Sequence, residues 1–163
     1  MLRQGGQVIL RPATPADRWA VRQLFGALHT YNTSLDARFA LAEGWEVLLD
    51  QHVDQIAETG RGLVVLAWDG DRPIGLLIMA DFEDSPLFHY RRWAELQVLF
   101  VEPDVRGSSA AQHLVEAGAA WSKQRGYDRI QLFVTAANER AKRFYARVGF
   151  YPVQEIWRLD LGE

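Results

Sequence analysis

Cysteine is absent from the 163 residues of this chain. Its absence excludes disulfide bonds, thiolate metal ligands and a cysteine nucleophile. A chain without cysteine also fits a reducing compartment, so we expect a cytoplasmic protein.

The chain also lacks a strong charge and a long hydrophobic run. Its formal net charge is −3 at pH 7, whereas sequence-independent binding to nucleic acid needs clustered Lys and Arg. No apolar run approaches the length of a membrane span, and the first ten residues are too short and too polar for a signal peptide. The four histidines have no ligand-like spacing. We therefore expect no nucleic acid, membrane or metal, and a small molecule or a protein as partner.

Hydrophobic residues make up 48% of the chain and aromatic residues 12%, which is ample for the core of one domain over residues 1–163. The first half reads as a strand, two helices, a hairpin of Gly62–Trp68 with Ile74–Phe82, and a strand over Trp93–Val101. The second half alternates helix and strand, with a final strand within Glu155–Leu161. Hairpins pair antiparallel and strand-helix-strand crossovers favour parallel pairing, so the pattern predicts an α/β (α+β) fold with a mixed sheet.

The stretch "VEPDVRGSSAAQHL", residues 101–114, joins the long strand to a predicted helix. Free N–H groups and the helix dipole at such a junction attract an anion. Gly107 allows close approach of the backbone, Arg106 adds a positive charge, and Ser108 or Ser109 can cap the helix or donate a hydroxyl. This stretch alone is equally consistent with an ordinary capped turn.

A second stretch, "NERAKRFYARVGF" at residues 138–150, favours the anion loop. Together the two motifs resemble the GNAT superfamily of acetyl-CoA-dependent N-acetyltransferases. The resemblance implies a mixed, mostly antiparallel central sheet of six to seven strands with about four helices on its two faces. The matching positions are Val101, Pro103, Arg106, Gly107 and Ala111 in the first motif, and Asn138, Ala141, Phe144, Tyr145, Gly149 and Phe150 in the second.

The resemblance also implies acetyl-CoA as cosubstrate. Ser109 departs from the family pattern, which has glycine there, and a Cβ at that position restricts positive φ. The residues that the resemblance assigns to the cofactor are Leu99, Phe100, Val101, Arg106, Gly107, Ser108, Ser109, Ala110, Ala111, Asn138 and Phe144.

Two side chains match catalytic positions of the family. Tyr145 corresponds to the general acid that protonates the leaving thiolate, although a tyrosine on the apolar face of a helix is also explained as a core aromatic. Glu95 has the spacing of the general base in one branch, although it could equally be an exposed or salt-bridged strand residue. Gln97, on the same face as Glu95, cannot act as a base but could position a water.

The predicted acceptor is a primary amine of a small molecule or peptide, acetylated directly in a ternary complex. Two other interpretations stay open: a non-catalytic acyl-CoA-binding or regulatory module of the same fold, and an unrelated α/β binding domain. A homodimer is possible, for which an exposed Trp157 would be suited. The candidate acceptor-binding residues are Tyr31, Phe82, Glu83 and Tyr90.

Overall fold

The computed structural model describes residues 7–162. The chain divides into two compact units, Met1–Phe133 and Val134–Glu163. None of the helices in the described range is long and apolar enough to cross a bilayer.

The first unit contains a five-stranded sheet in the order β1-β2-β3-β4-β5. The first four strands pair antiparallel, and β5 pairs parallel with β4. This arrangement confirms the predicted mixed and mostly antiparallel sheet. The strands are β1 (Val8–Pro12), β2 (Gly62–Asp69), β3 (Arg72–Glu83), β4 (Arg92–Val101) and β5 (Ile130–Gln131).

Helices cover both faces of this sheet. On one face, α1 (Arg18–Leu35) and α2 (Trp45–Thr59) bury their apolar sides against β2, β3 and β4. On the other face, α3 (Ala110–Gln124) lies against β3 and β4. The contact of α3 is close because position 118 is glycine: a Cβ there would stand 3.0 Å from Met79 Sδ.

The start of α1 follows from a local capping arrangement that the sequence predicts. Thr14 precedes Pro15, and a single 3₁₀ turn over Pro15–Asp17 leads into the helix. The buried Asp17 carboxylate accepts from the Thr14 amide at 2.8 Å and from both terminal nitrogens of Arg11 at 2.8 and 3.0 Å. These bonds hold the pKa of Asp17 at about 2, below its ordinary value of 3.8.

The second unit contains the helix α4 (Glu139–Arg147). The Asn138 side chain caps it by accepting from the Ala141 amide at 3.1 Å, and Gly149 follows it at φ +105°. Both features agree with the predicted start and end of this helix.

The predicted strand within Glu155–Leu161 is wrong. Residues 150–162 form no helix or strand, and residues 151–162 are exposed. The alternation of Trp157, Leu159 and Leu161 favours a strand, but a strand also needs a hydrogen-bonded neighbour, and none of the five described strands pairs with this segment. The described sheet therefore has five strands rather than six to seven.

Candidate functional site

The loop between β4 and α3 exposes several main-chain amides. Gly107 has φ +83° with open space around it, while Ser109 at the helix cap has φ −78° and ψ 0°. Within residues 7–162, the amides of Gly107, Ser109, Ala111 and Gln112 donate to no protein acceptor. These donors stand at the positive end of the α3 dipole, so the loop is suited to bind an anion.

Ser109 does not strain this loop. Its backbone lies in the right-handed region, and positive φ occurs in the described residues only at glycines. The sequence alone suggested that a side chain at position 109 would restrict the loop. In the structure the left-handed conformation is at Gly107 instead, so position 109 does not require glycine.

The strand β4 extends beyond its short partner β5, which ends at Gln131. Their pairing consists of Ala94 with Ile130 and Glu95 with Gln131. Beyond Glu95, β4 continues to Val101 without forming a further bridge to β5 in the described part of the chain. The edge of β4 at Leu99, Phe100 and Val101 therefore offers main-chain groups that β5 does not occupy.

A bulge in β4 lies just beyond the last residue that pairs with β5. Ile78 pairs with Val98 and Met79 pairs with Leu96, so Gln97 is an additional residue in β4. Bulges reorient side chains and are common beside active sites. Here, Gln97 and Val98 both line a cavity on the α1 and α2 side of the sheet.

The cavity has a volume of about 390 Å³ and lies between α1, α2 and β4. Phe25 and Trp45 stack in its wall with ring centroids 5.6 Å apart. His52 Nε2 and Gln97 Oε1 are 2.6 Å apart across it. Its lining residues are Phe25, His29, Leu41, Trp45, Leu48, Leu49, His52, Ile78, Gln97 and Val98.

Glu95 lies two residues before the bulge and is half-buried. Burial raises the pKa of its carboxyl above the ordinary value. A raised pKa makes a carboxylate a better proton acceptor near neutral pH. Glu95 can therefore act as a general base.

The second unit holds Asn138, Phe144 and Tyr145. The Tyr145 ring makes edge contacts with Phe144 and Phe150, each with centroids 5.5 Å apart. Burial raises the pKa of its phenol to about 12. Tyr145 is therefore protonated at neutral pH and can donate a hydrogen bond.

The four predicted acceptor-binding residues are not among those that line the cavity. Tyr31 lies on α1, two residues after His29. Phe82 stacks on Trp93 at 4.7 Å, and Glu83 pairs with Arg91 at 3.0 Å. Tyr90 is exposed and lies in a separate depression near Arg129.

Sequence reasoning missed His29 and His52 as residues of the cavity. Their helical spacing from Phe25 and Trp45 was visible, but Gln97 meets His52 from 45 positions away. Such contacts depend on how α2 packs on the sheet.

No group of three or more metal-ligating side chains occurs within residues 7–162.

Residues 21–150 match the acetyltransferase (GNAT) family. A mycothiol acetyltransferase from Propionibacterium freudenreichii subsp. shermanii is 34% identical over 94 residues, which are 52% of this chain and 30% of that protein. An uncharacterized N-acetyltransferase from Methanocaldococcus jannaschii is 37% identical over 79 residues, 48% of this chain and 34% of that protein. The chain spans about a third of the length of these curated relatives.

Solved structures share the fold. The BH1408 protein from Bacillus halodurans, as a tetramutant, has a TM-score of 0.82 at 22% identity, over 94% of this chain and 99% of that one. The aminoglycoside antibiotic 6'-N-acetyltransferase AAC(6')-IG from Acinetobacter haemolyticus has a TM-score of 0.72 at 18% identity, over 95% of this chain and 99% of that one. Since the family match extends over most of its residues, the chain belongs to the acetyltransferase (GNAT) family, whose cosubstrate is acetyl-CoA.

Proposed function

We propose that the chain is an N-acetyltransferase that moves the acetyl group of acetyl-CoA to a primary amine of a small molecule or peptide. The observation that carries the proposal is the loop of free amides at the start of α3, in a chain that matches the GNAT family over residues 21–150. Relatives with acetyltransferase names support the reaction type.

The loop and the β4 edge fit the cosubstrate. The amides of Gly107, Ser109, Ala111 and Gln112 would bind its pyrophosphate, with Arg106 as the adjacent positive charge. When bound, acetyl-CoA supplies the acetyl group as a thioester. The remaining proposed contacts are the β4 edge at Leu99, Phe100 and Val101, the residues Ser108 and Ala110 in the first unit, and Asn138 and Phe144 in the second.

Direct transfer is the mechanism that this sequence favours. With no cysteine in the chain, an acetyl-enzyme on a thiol cannot form. The amine must instead attack the thioester itself, and for this it must be neutral. An amine with a pKa near 10.4 is neutral in only about one molecule in a few thousand at pH 7. Glu95 is the proposed acceptor of the amine proton, directly or through water that Gln97 positions.

Tyr145 is the proposed proton donor to the leaving sulfur. A thiol with a pKa near 8.5 leaves more readily when a donor meets its developing charge. Because burial raises the pKa of Tyr145 to about 12, the donor stays protonated through the physiological range. We expect no loss of activity from its ionisation below about pH 11.

The central experiment measures thiol release from acetyl-CoA with a panel of amines, peptides, polyamines and aminoglycosides. Tyr145→Phe should lower turnover about 100-fold while leaving the affinity for acetyl-CoA unchanged. Tyr151→Phe is the matched control, because Tyr151 is exposed in the same unit, and its turnover should equal that of the wild type. Equal turnover in Tyr145→Phe would remove Tyr145 from the chemistry. Binding of acetyl-CoA without any thiol release would indicate a non-catalytic acyl-CoA-binding module.

The role of Glu95 is tested by a pH profile. Glu95→Gln should lower the rate most on the acid side of neutrality, where neutral amine is scarce and the base matters most. Glu58→Gln, an exposed change on α2, serves as the control. A profile of unchanged shape would favour proton transfer to water without Glu95.

A further inference from the structure

The cavity between α1, α2 and β4 has a lining that is mostly apolar. Seven of its ten lining residues are Phe, Trp, Leu, Ile or Val, and the other three are His29, His52 and Gln97. No carboxylate is among the residues that line it. A ligand with several positive charges would therefore lose its hydration there without gaining a counter-charge, which is costly.

Two carboxylates on α2 near the cavity already have partners. Asp54 accepts from Arg18 at 2.6 and 2.7 Å, and Asp50 accepts from Arg22. These pairs join α2 to α1. Asp50 and Asp54 are thus neutralised by α1 arginines and are not free to bind a polycation.

The polar groups of the cavity leave room for one polar group of a ligand. His52 and Gln97 bond to each other at 2.6 Å. His29 Nδ1 is buried and has no hydrogen-bond partner within residues 7–162. Burial also lowers the pKa of His29, which favours the neutral imidazole. The neutral ring can therefore accept one hydrogen bond from a ligand whose other atoms contact apolar side chains.

The cavity also lies beside the proposed acetyl site. Gln97 and Val98 belong to its lining, and Leu99, the first residue of the open β4 edge, follows directly. Its volume of about 390 Å³ is near the lower end of the range for ligand pockets. The body of a small amine fits this volume.

We infer that the acceptor is a monoamine with an aromatic or aliphatic body, and that this body occupies the cavity lined by Phe25, Trp45 and Leu48. The inference rests on the proposed function, because it names the substrate class of the same site. It distinguishes this chain from an enzyme whose acceptors are polycationic.

The test compares 2-phenylethylamine with ethanolamine, which has the same aminoethyl group but a polar hydroxyl, and with two polycationic amines. 2-Phenylethylamine should have a kcat/KM at least 30-fold above that of ethanolamine, and spermidine and kanamycin should be poorer acceptors than 2-phenylethylamine. Leu48→Asp, at an exposed cavity position, should reduce kcat/KM for 2-phenylethylamine at least tenfold. Val47→Asp is the matched control: Val47 is 56% exposed, similar to Leu48 at 60%, but does not line the cavity. It should leave the rates unchanged.

Calorimetric titration separates failure of this inference from failure of the proposed function. Without acetyl-CoA, 2-phenylethylamine or hexylamine should bind to the wild type and to Val47→Asp, and at least tenfold more weakly to Leu48→Asp. Binding of this kind without thiol release would support the cavity assignment and contradict the enzyme. Thiol release with spermidine or kanamycin as the best acceptors would support the enzyme and overturn the inference. Absence of binding by both apolar amines, or equal binding by Leu48→Asp, would also overturn it.

Discussion

At the scale of single residues, Asp17 shows how hydrogen-bond donors determine the ionisation state of a buried carboxyl group. Its carboxylate is 7% exposed and accepts hydrogen bonds from Arg11 and from the amide and hydroxyl of Thr14. All of these donors favour the ionised form, so the pKa in the folded protein is about 2, against 3.8 ordinarily. A lowered pKa stabilises the folded state above about pH 4, and this contribution is lost as the pH falls toward 2.

Asp17→Asn should therefore reduce the free energy of unfolding by about 2 kcal/mol at pH 7. The difference from the wild type should shrink at pH 3. Urea denaturation at both pH values measures it. Asp54→Asn, in an exposed ion pair with Arg18, should cost less than about 1 kcal/mol. If Asp17→Asn lowers the free energy of unfolding equally at pH 7 and pH 3, the charge of Asp17 is not the cause.

At the scale of elements, the loop before α3 depends on one glycine. Gly107 has φ +83°, and a Cβ there would meet no atom within 4 Å. The cost of a side chain at this position is thus a backbone cost, about 1–2 kcal/mol for a residue in the left-handed region. Ser109 at φ −78° carries no such cost.

Gly107→Ala should weaken coenzyme A binding about tenfold, since 1.4 kcal/mol corresponds to a factor of ten. Ser109→Gly should change the affinity for coenzyme A by less than about threefold. Calorimetric titration with coenzyme A measures the affinity of both variants. A tenfold gain from Ser109→Gly would mean that the bound loop requires a left-handed residue at position 109.

At the scale of the whole molecule, the second unit exposes a dense set of apolar side chains. Ile156 is 83% exposed and Trp157 is 86% exposed, within a segment without regular structure. Large apolar patches on a protein surface commonly mark sites of association. The other exposed large apolar residues of the segment are Tyr151, Val153, Leu159 and Leu161.

We expect the protein to self-associate through this segment. The double variant Ile156→Ser, Trp157→Ser should sediment closer to the monomer than the wild type across a concentration series. Ile9→Ser, an exposed change on β1, is the control and should sediment like the wild type. A wild type that is monomeric at all concentrations would contradict the expectation.

Local signals in the sequence predicted most of the fold. Thr14 and Pro15 at the start of α1, Asn138 at the start of α4 and Gly149 at its end act through neighbouring residues, so they could be interpreted without a structure. The hairpin of β2 and β3 is also local. The terminal strand failed, because alternation at Trp157, Leu159 and Leu161 does not provide a partner strand. The strand predicted over residues 128–134 is present only as Ile130–Gln131.

The family could be predicted without a structure, and so could a candidate anion loop, because Arg106, Gly107 and the start of α3 are contiguous and their geometry is local. Tertiary structure decided the rest of the candidate site. The bulge at Gln97 exists only in the register of β4 against β3, and the cavity exists only where α1 and α2 pack over that bulge. Packing between distant segments decides which side chains share a cavity. For this reason the polar residues of the cavity are His29, His52 and Gln97, and its lining does not include Tyr31, Phe82, Glu83 or Tyr90.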